Sequence, residues 1–427
     1  MAVLSWQHTN ASRLPRRGYS WHLEPYPKPL EVHLPIAMNT SDQSRLSTKR
    51  GIQFAFTNEQ EQFRSEIRRF LNDNSPTTEV RRLMETEEGY DPRVWRQMSE
   101  VLALPGIHIP EEYGGAGFGM VELCIVTEEI GRALLCAPYF STAVLAGSAI
   151  LNAGTETQKS GFLPDIAKGA RPAALAITEP NGSWDLSEIE VVATPDGDGY
   201  RLDGVKSFVV DGHVAELLIV AAREPKTVGR EGLGLFTLAA NASGVERRLL
   251  KSMDATRKMA RIDFSGAHAN LLGNLHEGAR PISRTLDQAA IALANEMVGG
   301  AQTVLDSALK YAKLRVQFGR TIGSFQAIKH KCADMLLDVE LAKSAAYYAA
   351  QAAAVDDSEW PALASLAKAA ASETYLRTAA ECIQIHGGIG FTWDNDTHLW
   401  FKRAKSSEVF LGQPSYHREL LMQRWGV

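Results

Sequence analysis

The spacing of apolar side chains predicts helices in the first third of the chain. Phe63, Ile67 and Leu71 recur four residues apart, which is the spacing of one face of an α-helix. The preceding "TNEQ" has the pattern of a capping box, in which the Thr57 hydroxyl accepts from a first-turn amide. "PRVWRQMSEVLAL" and "GMVELCIVTEEIGRALL" continue the helical pattern. We therefore predict an α-helical domain over residues 53–172.

After residue 172 the pattern changes to short β-like runs, which Gly, Asp, Asn and Pro clusters separate. Runs of this kind indicate a compact sheet, and we predict a middle β-barrel domain over residues 173–282. The runs are "AALAI" (173–177), "GYRLDGVKSFVV" (199–210), "ELLIVAA" (216–222), "GLFTLAA" (233–239) and "RIDFSG" (261–266).

From residue 283 to the end the chain is rich in alanine and helical in pattern. Three long helices are predicted, and their small side chains allow close helix approach. The interpretation is a C-terminal four-helix-bundle domain over residues 283–427. The fold class is therefore α+β, with helical, β and helical domains in that order.

The first 52 residues show neither helical nor strand periodicity and lack the apolar core of a secretory signal. Three interpretations stay open: a mitochondrial transit peptide, a disordered N-terminal extension, or a start site set too far upstream, with Met38 as the true start.

Composition excludes some classes of function. The net charge of −5 argues against nucleic-acid binding, and no apolar run approaches the roughly 20 residues that span a bilayer. The four cysteines lie far apart without CxxC spacing. We expect reduced thiols, no metal site and a cytoplasmic protein.

Five stretches together resemble the acyl-CoA dehydrogenase family, and the resemblance covers roughly residues 54–427. They are "YGGAGFG", "AITEPNGSWD", "GVKSFVVDG", "RVQFGRTIGSFQAIKHKCADM" and "QIHGGIGFTWDND". The resemblance implies an oxidoreductase of lipid β-oxidation that acts on CH–CH bonds. It also implies FAD, an acyl-CoA substrate and electron-transfer flavoprotein or a similar acceptor.

Two of these stretches have the features that a flavin ring requires, namely an apolar slot and hydrogen-bonding groups at its edge. The resemblance assigns ring contacts to Ile177 and Thr178, and an aromatic wall to Phe208. Val210 stands where the family usually has a hydroxyl donor, which puts one contact in doubt. Trp184 follows Ser183 where the family has a Gly-Ser pair, so the phosphate contact is expected to move to Ser183.

Two further stretches are expected to bind the rest of the cofactor. Arginine is a natural bidentate clamp for a pyrophosphate, and glycines without Cβ allow a ligand to approach the backbone closely. The resemblance implies that these segments reach the FAD of a neighbouring subunit, in a homo- or hetero-oligomer that is a dimer or tetramer. The candidate residues are Arg315, Gln317, Phe318, Gln326, Gln384, His386, Gly387, Gly388 and Gln413.

The catalytic base of the family is missing. Its reaction needs a carboxylate beside the substrate α-carbon. In "AKSSEVFLGQ", Leu411 stands where the commonest branch has glutamate, and the alternative position on the first long C-terminal helix is Ala289. Ala290 stands where the family often has an arginine that supports CoA.

Three nearby carboxylates are candidates to replace the missing base. Glu296 shares the helix face of Ala289 and is the candidate base, although it lies roughly 10 Å further along the axis. Asp287 is expected to face away from Ala289, and Glu408 aligns where the family needs no acid. The catalytic residue is therefore left unassigned.

These observations predict an FAD-dependent acyl-CoA dehydrogenase-like protein of actinobacterial type. It would desaturate an acyl-CoA thioester in a complex whose partner subunit carries the base. Two alternatives stay open. One is a catalytically silent structural subunit of a heteromeric acyl-CoA dehydrogenase, and the other is a flavin oxidase or monooxygenase on the same fold.

Overall fold

The computed structural model describes residues 55–427, and the interpretations of residues 1–52 lie outside the described residues. The first part of this region is helical, as predicted. Within it, a π-helical segment at Phe140–Gly147 separates the fourth helix from the fifth. The helices are α1 (Asn58–Asn74), α2 (Thr77–Met84), α3 (Pro92–Glu100), α4 (Met120–Ala133), α5 (Ser148–Ala153) and α6 (Glu156–Ala167).

The capping box predicted at Thr57 is present. The Thr57 hydroxyl accepts from the Gln60 amide at 3.2 Å, and the Gln60 side chain accepts from the Thr57 amide at 3.0 Å. Helix α1 ends at Asn74, and Ser75 and Pro76 follow it, since the residue before a proline is disfavoured in helical conformation. Local sequence chemistry therefore sets both ends of α1.

A seven-stranded sheet follows. Its pairings join β4, β2, β3, β7 and β5 in a circuit that returns to β4, although β2 and β4 share a single bridge. The five predicted runs are all strands, but two polar strands, β2 and β6, were missed. The strands are β1 (Ala173–Ala176), β2 (Val192–Asp196), β3 (Gly199–Val210), β4 (Leu217–Arg223), β5 (Leu233–Ala239), β6 (Val245–Leu249) and β7 (Met259–Leu272).

Strands β1 and β4 pair in parallel and are buried on both faces. Successive strand side chains point to opposite faces, so each strand serves two cores. Leu175 and Ile219 join the core that the helices share, whereas Ala176 and Val220 join the interior of the sheet. This two-sided burial explains why both strands are continuous apolar runs.

The C-terminal part contains five helices rather than the four predicted. Three are long and two are short, because Gly412 and Pro414 divide the last helical stretch. The first long helix ends at Leu314, and the next residues form a small hairpin. The elements are α7 (Ala279–Leu314), β8 (Val316–Gln317), β9 (Arg320–Thr321), α8 (Gln326–Ala354), α9 (Trp360–His386), α10 (Thr397–Val409) and α11 (Pro414–Trp425).

None of the helices described within residues 55–427 has both the length and the apolar character needed to cross a membrane.

Helices α4 and α7 approach each other at two glycines. A Cβ atom on Gly131 would lie 1.9 Å from the Glu296 carbonyl oxygen, and one on Gly299 would lie 2.0 Å from that of Glu128. Both distances are far below van der Waals contact. The close approach therefore depends on residues without side chains, as the small-residue composition of α7 suggests.

Gly299→Ala is expected to destabilise the protein by about 1–3 kcal/mol, because the methyl group would force α4 and α7 apart. Gly161→Ala in α6 is the matched control, since a Cβ there meets no atom within 4 Å. It should instead stabilise by about 0.4–1 kcal/mol. Denaturant midpoints of both variants would test this, and an unchanged midpoint for Gly299→Ala would contradict the packing.

Candidate active site

The end of β1 and the middle of β3 are joined by buried hydrogen bonds. The Ser207 amide donates to the Thr178 carbonyl at 2.9 Å, and the Thr178 hydroxyl donates to the Ser207 carbonyl at 2.6 Å. The ammonium group of Lys206 donates to the Ile177 carbonyl and to Glu179, each at 2.7 Å. Burial lowers the pKa of Lys206 to about 8, although Glu179 opposes the shift. The two predicted flavin-contact segments are therefore held as one rigid unit.

Phe208 is held beside this unit in an unusual backbone conformation. The register of β3 against β7 shifts between Lys206 and Val209, and Phe208 has a φ of +59°. A positive φ is rare for a bulky residue and marks a locally constrained position. The ring is 42% exposed although it lies in a strand. The bulge thus turns this aromatic side chain out of the sheet.

Phe208 lines a cleft of about 460 Å³, which is called the cleft below. Its lining is mostly apolar, and Thr178 contributes a polar atom. Trp184 and Phe410 meet edge to face, with ring centroids 5.6 Å apart. The lining residues are Thr178, Gly182, Trp184, Phe208, Ser252, Met253, Asp254, Arg257, Met259, Lys405, Ser406, Val409 and Phe410.

Two smaller spaces adjoin the cleft. The side cavity, of about 280 Å³, shares Trp184 with the cleft and is also lined by Asp287, Leu411 and Tyr416. The inner void, of about 20 Å³, shares Arg257 with the cleft. It is also lined by Phe140, Val210, Asp211, Glu296 and Arg403.

A buried ion network lies between the cleft and the inner void. The Arg257 guanidinium donates to both Glu296 oxygens at 2.5 and 2.6 Å, and Arg403 donates to Glu296 at 2.9 Å. Arg403 also donates to Asp254 at 2.9 Å and to the Thr256 hydroxyl at 2.7 Å. Two cations and two carboxylates thus balance one another in a site closed to solvent.

This network changes the interpretation of Glu296. Both carboxylate oxygens accept from guanidinium groups, so the lone pairs that a base would use are directed at cations. Ala289 and Ala290, at the alternative base position and beside it, are completely buried in α7. Glu408 pairs with Lys405 one turn before it on α10.

Leu411 lies in a loop that buried polar groups hold in place. Its φ is +61°, and its carbonyl oxygen accepts from His417 Nε2 at 2.8 Å. The buried ammonium group of Lys368 donates to the Gly412 carbonyl at 2.9 Å, to the Glu408 carbonyl at 3.2 Å and to the Ser372 hydroxyl. Burial lowers the pKa of Lys368 to about 7. These hydrogen bonds fix the backbone of the Leu411 loop.

Asp287, which is predicted to face away from Ala289, lies beside the Leu411 loop. Asp287 lines the side cavity together with Leu411, and both of its oxygens accept from Arg424, at 2.8 and 2.9 Å. Burial raises the pKa of Asp287 to about 6, against the opposing effect of Arg424. The Leu411 loop and α11 pack on the side of α7 that carries Asp287.

The predicted cofactor residues fall into two groups. Thr178 and Phe208 line the cleft, Val210 lines the inner void, and Ile177 and Ser183 lie in the segments next to them. Gln413 is exposed beside the Leu411 loop.

The second group lies at one end of the C-terminal helices. Tyr311 and His386 stack with centroids 4.3 Å apart, which brings the ends of α7 and α9 together. A Cβ on either Gly387 or Gly388 would meet open space. The remaining members, all exposed, are Arg315, Gln317, Phe318, Gln326 and Gln384. No residue of this group lines the cleft of the described chain.

The sequence analysis missed Arg257, Asp254 and Arg403. The positions of Leu399, Trp400, Arg403 and Ser407 on α10 do carry a signal, because they share the three-to-four-residue spacing of a buried face. Within residues 55–427, no group of three or more potential ligands is placed to hold a metal ion.

The residues present fit a flavin nucleotide. The cleft offers aromatic walls and an edge of backbone and hydroxyl groups, which suit a planar ring with polar margins. The exposed end of the C-terminal helices offers an arginine and two glycines with open space above them.

Comparison with known proteins identifies the family. The N-terminal, middle and C-terminal domain profiles of acyl-CoA dehydrogenase match residues 57–170, 174–266 and 276–426. The chain is 33% identical to acyl-CoA dehydrogenase IpdE2 of Mycobacterium tuberculosis over 85% of its own length and 95% of that protein. The chain belongs to the acyl-CoA dehydrogenase family, whose members are FAD-dependent oxidoreductases.

Solved structures show the same fold. Butyryl-CoA dehydrogenase from Megasphaera elsdenii matches with a TM-score of 0.83 and 27% identity, over 88% of this chain and all of that one. The Tcur3481-Tcur3483 steroid ACAD matches with a TM-score of 0.78 and 31% identity, over 86% of this chain and 98% of that one. The prediction of helical terminal domains around a sheet-rich middle domain is confirmed.

His417, which contacts the Leu411 loop, makes the stability of the protein depend on pH. Burial, followed by the nearby Lys368, lowers the pKa of His417 to about 3. The unfolded chain binds a proton near pH 6.5 whereas the folded chain does not, so the stability that neutral His417 contributes is lost as pH falls from about 6.5 to 3.

His417→Gln should flatten the acid side of the stability profile. Between pH 6 and 4, the wild type should lose up to about 1.4 kcal/mol of unfolding free energy more per pH unit than this variant. Urea unfolding at several pH values measures the difference. His268→Gln, at an exposed position on β7, is the control and should keep the wild-type slope. Equal slopes for His417→Gln and the wild type would exclude His417 as the source.

Proposed function

We propose that this chain is an FAD-binding acyl-CoA dehydrogenase subunit that desaturates an acyl-CoA thioester in a complex whose partner subunit supplies the base. The observation that carries the proposal is the side chain at Leu411. The cleft and the ordered base loop are retained, but Leu411 and Ala289 occupy the two base positions without a carboxylate.

The cofactor would be held by both groups of residues. Ile177, Thr178 and Phe208 would contact the flavin ring, Ser183 a phosphate, and Val210 would leave one usual hydrogen bond unmade. When bound, FAD supplies a hydride acceptor. The chain itself provides an apolar cleft that excludes water beside the acyl group, which strengthens the electrostatic interactions within it.

An oligomer is proposed because the second group of cofactor residues is exposed and separate from the cleft of its own chain. Large apolar side chains surround this group, and Phe318 is 90% exposed and Phe391 78% exposed. Exposed apolar patches of this kind mark interaction sites. The steroid ACAD named above is described by two protein names, which supports a mixed complex as the form to test.

A second candidate is a catalytically silent subunit that completes a partner's FAD site. The pairing of Glu296 with two arginines favours it, because the candidate base of this chain is engaged in an ion network. The two candidates differ in whether flavin bound to this chain reacts once a base is provided.

Restoring the base distinguishes them. Leu411→Glu would place a carboxylate in the side cavity, which shares Trp184 with the cleft, and burial would raise its pKa toward neutral, which suits a base. The purified homomer should then bleach its flavin on anaerobic mixing with an acyl-CoA about 10²–10⁴ times faster than the wild-type homomer. Stopped-flow absorbance measures the rate.

Val409→Glu is the matched control, because it adds a carboxylate to the cleft two residues away. It should not accelerate bleaching. Rapid bleaching by the wild-type homomer would contradict the proposal, since another residue would have to be the base. A flavin-loaded Leu411→Glu protein that stays oxidised would favour the silent subunit.

Arg315→Ala should lower FAD occupancy and weaken assembly together, because the proposed site lies across a subunit interface. The measurements are the flavin-to-protein absorbance ratio and the mass in solution by light scattering. Lys313→Ala, an exposed cation on the same helix end, should leave both unchanged. A fully flavinated monomer of the Arg315 variant would show that Arg315 has neither role.

A further inference from the structure

The inner end of the cleft is closed by Arg257. Arg257 lines both the cleft and the inner void, so its side chain is the wall between them. The inner void has about 20 Å³, which is room for roughly one water molecule. A group that enters the cleft therefore ends at this guanidinium and does not continue into the helical core.

The wall is fixed in position. The Arg257 guanidinium carbon lies 5.3 Å from the ring centroids of both Phe140 and Phe410. Its Nη2 donates to both oxygens of Glu296, which Arg403 holds from the other side. Two aromatic rings and an ion pair thus determine where the cation lies, so it can act as a preorganised binding group.

Part of this guanidinium is still available to a ligand. Arginine has five N–H donors, and Nη2 serves Glu296. Nη1 makes one contact of 3.4 Å to the Ser407 hydroxyl, and within residues 55–427 the Nε–H group makes no hydrogen bond. The surrounding cleft is mainly apolar and offers these donors few acceptors. An oxygen acceptor on a bound molecule would satisfy these donors.

We propose that Arg257 determines acyl specificity, and that it selects a compact acyl group with an oxygen acceptor, best a carboxylate, at the end remote from the thioester. This inference rests on the proposed function, because it assumes that an acyl thioester enters the cleft. Lys405, Ser252 and Ser406, which also line the cleft, add further donors. The carboxylate of Asp254, also in the lining, is already engaged by Arg403 and Thr256.

The expected discrimination is large. A site built to hydrogen-bond a polar group rejects an analogue that lacks it more strongly than an apolar pocket rejects an extra methylene, because its own donors are left unpaired. An unbranched saturated chain has no acceptor for Arg257, and the inner void has no room for its end. Both effects disfavour it.

The test uses the FAD-loaded oligomer as purified and two thioesters with the same number of acyl carbons, hexanoyl-CoA and adipoyl-CoA. Calorimetry gives each Kd. The wild type should bind adipoyl-CoA at least about tenfold more tightly. Arg257→Met should abolish this preference, and Arg257→Lys should retain part of it. Arg261→Met, which removes a surface arginine paired with Asp263, should change nothing.

Phe140→Ala keeps the test decisive if Arg257→Met does not fold. It leaves the ion network intact but removes one side of the wall, so octanoyl-CoA should bind about tenfold more tightly to it than to the wild type. An unchanged octanoyl-CoA affinity in a folded Phe140→Ala protein would overturn the role of the wall.

The remaining outcomes separate this inference from the proposed function. Equal affinity of the wild type for the two six-carbon thioesters overturns this inference alone. Ring carbonyls of a flavin are another source of acceptors. If Arg257→Met shifts the flavin spectrum but keeps the adipoyl preference, Arg257 serves the cofactor and the inference is wrong. If none of the thioesters binds, butyryl-CoA included, both the inference about Arg257 and the proposed function are wrong.

Discussion

The buried pairing of Glu296 with Arg257 and Arg403 is the interaction on which the site depends. It joins α7, the segment before β7 and α10, which come from different parts of the chain. Asp254 pairs with Arg403 and completes the charge balance. A buried ion pair adds little net stability compared with apolar packing, but loss of one partner typically costs about 3–5 kcal/mol because the other charge is left buried. The network therefore makes these segments mutually dependent even where it adds little stability of its own.

The same network bears on Glu296 as a candidate base. A general base needs a carboxylate whose lone pair reaches the substrate. Glu296 is close to the cleft, but its charge neutralises two guanidinium groups. Arg257 in turn closes the inner end of the cleft. A single arrangement thus engages Glu296 and fixes the Arg257 guanidinium at the inner end of the cleft.

The sequence predicted most of the secondary structure, because the governing signals are local. The capping box at Thr57 and the apolar runs of β3 and β5 act over a few residues. Strands β2 and β6 were missed because "VATPD" and "VERRL" are polar and lack an apolar run. The ion network was also missed, since Asp254 and Arg403 are distant in sequence and only tertiary packing brings them together. The motif resemblance assigned two groups of candidate cofactor residues, and the described chain keeps the second group away from the cleft.

The Leu411 loop is held in place by buried polar groups and not by its own side chain. Leu411 has a backbone conformation that is unfavourable for a bulky residue, so something must hold it there. Lys368 is completely buried, and its ammonium group is satisfied by the carbonyls of Glu408 and Gly412 and by Ser372. If the loop changed shape, this buried group would lose the two carbonyl acceptors of Glu408 and Gly412, which costs free energy. The conformation of the loop is therefore stabilised by its contacts with Lys368, whichever side chain residue 411 carries. The order of the Leu411 loop is therefore not evidence for catalysis, which depends on the side chain at position 411.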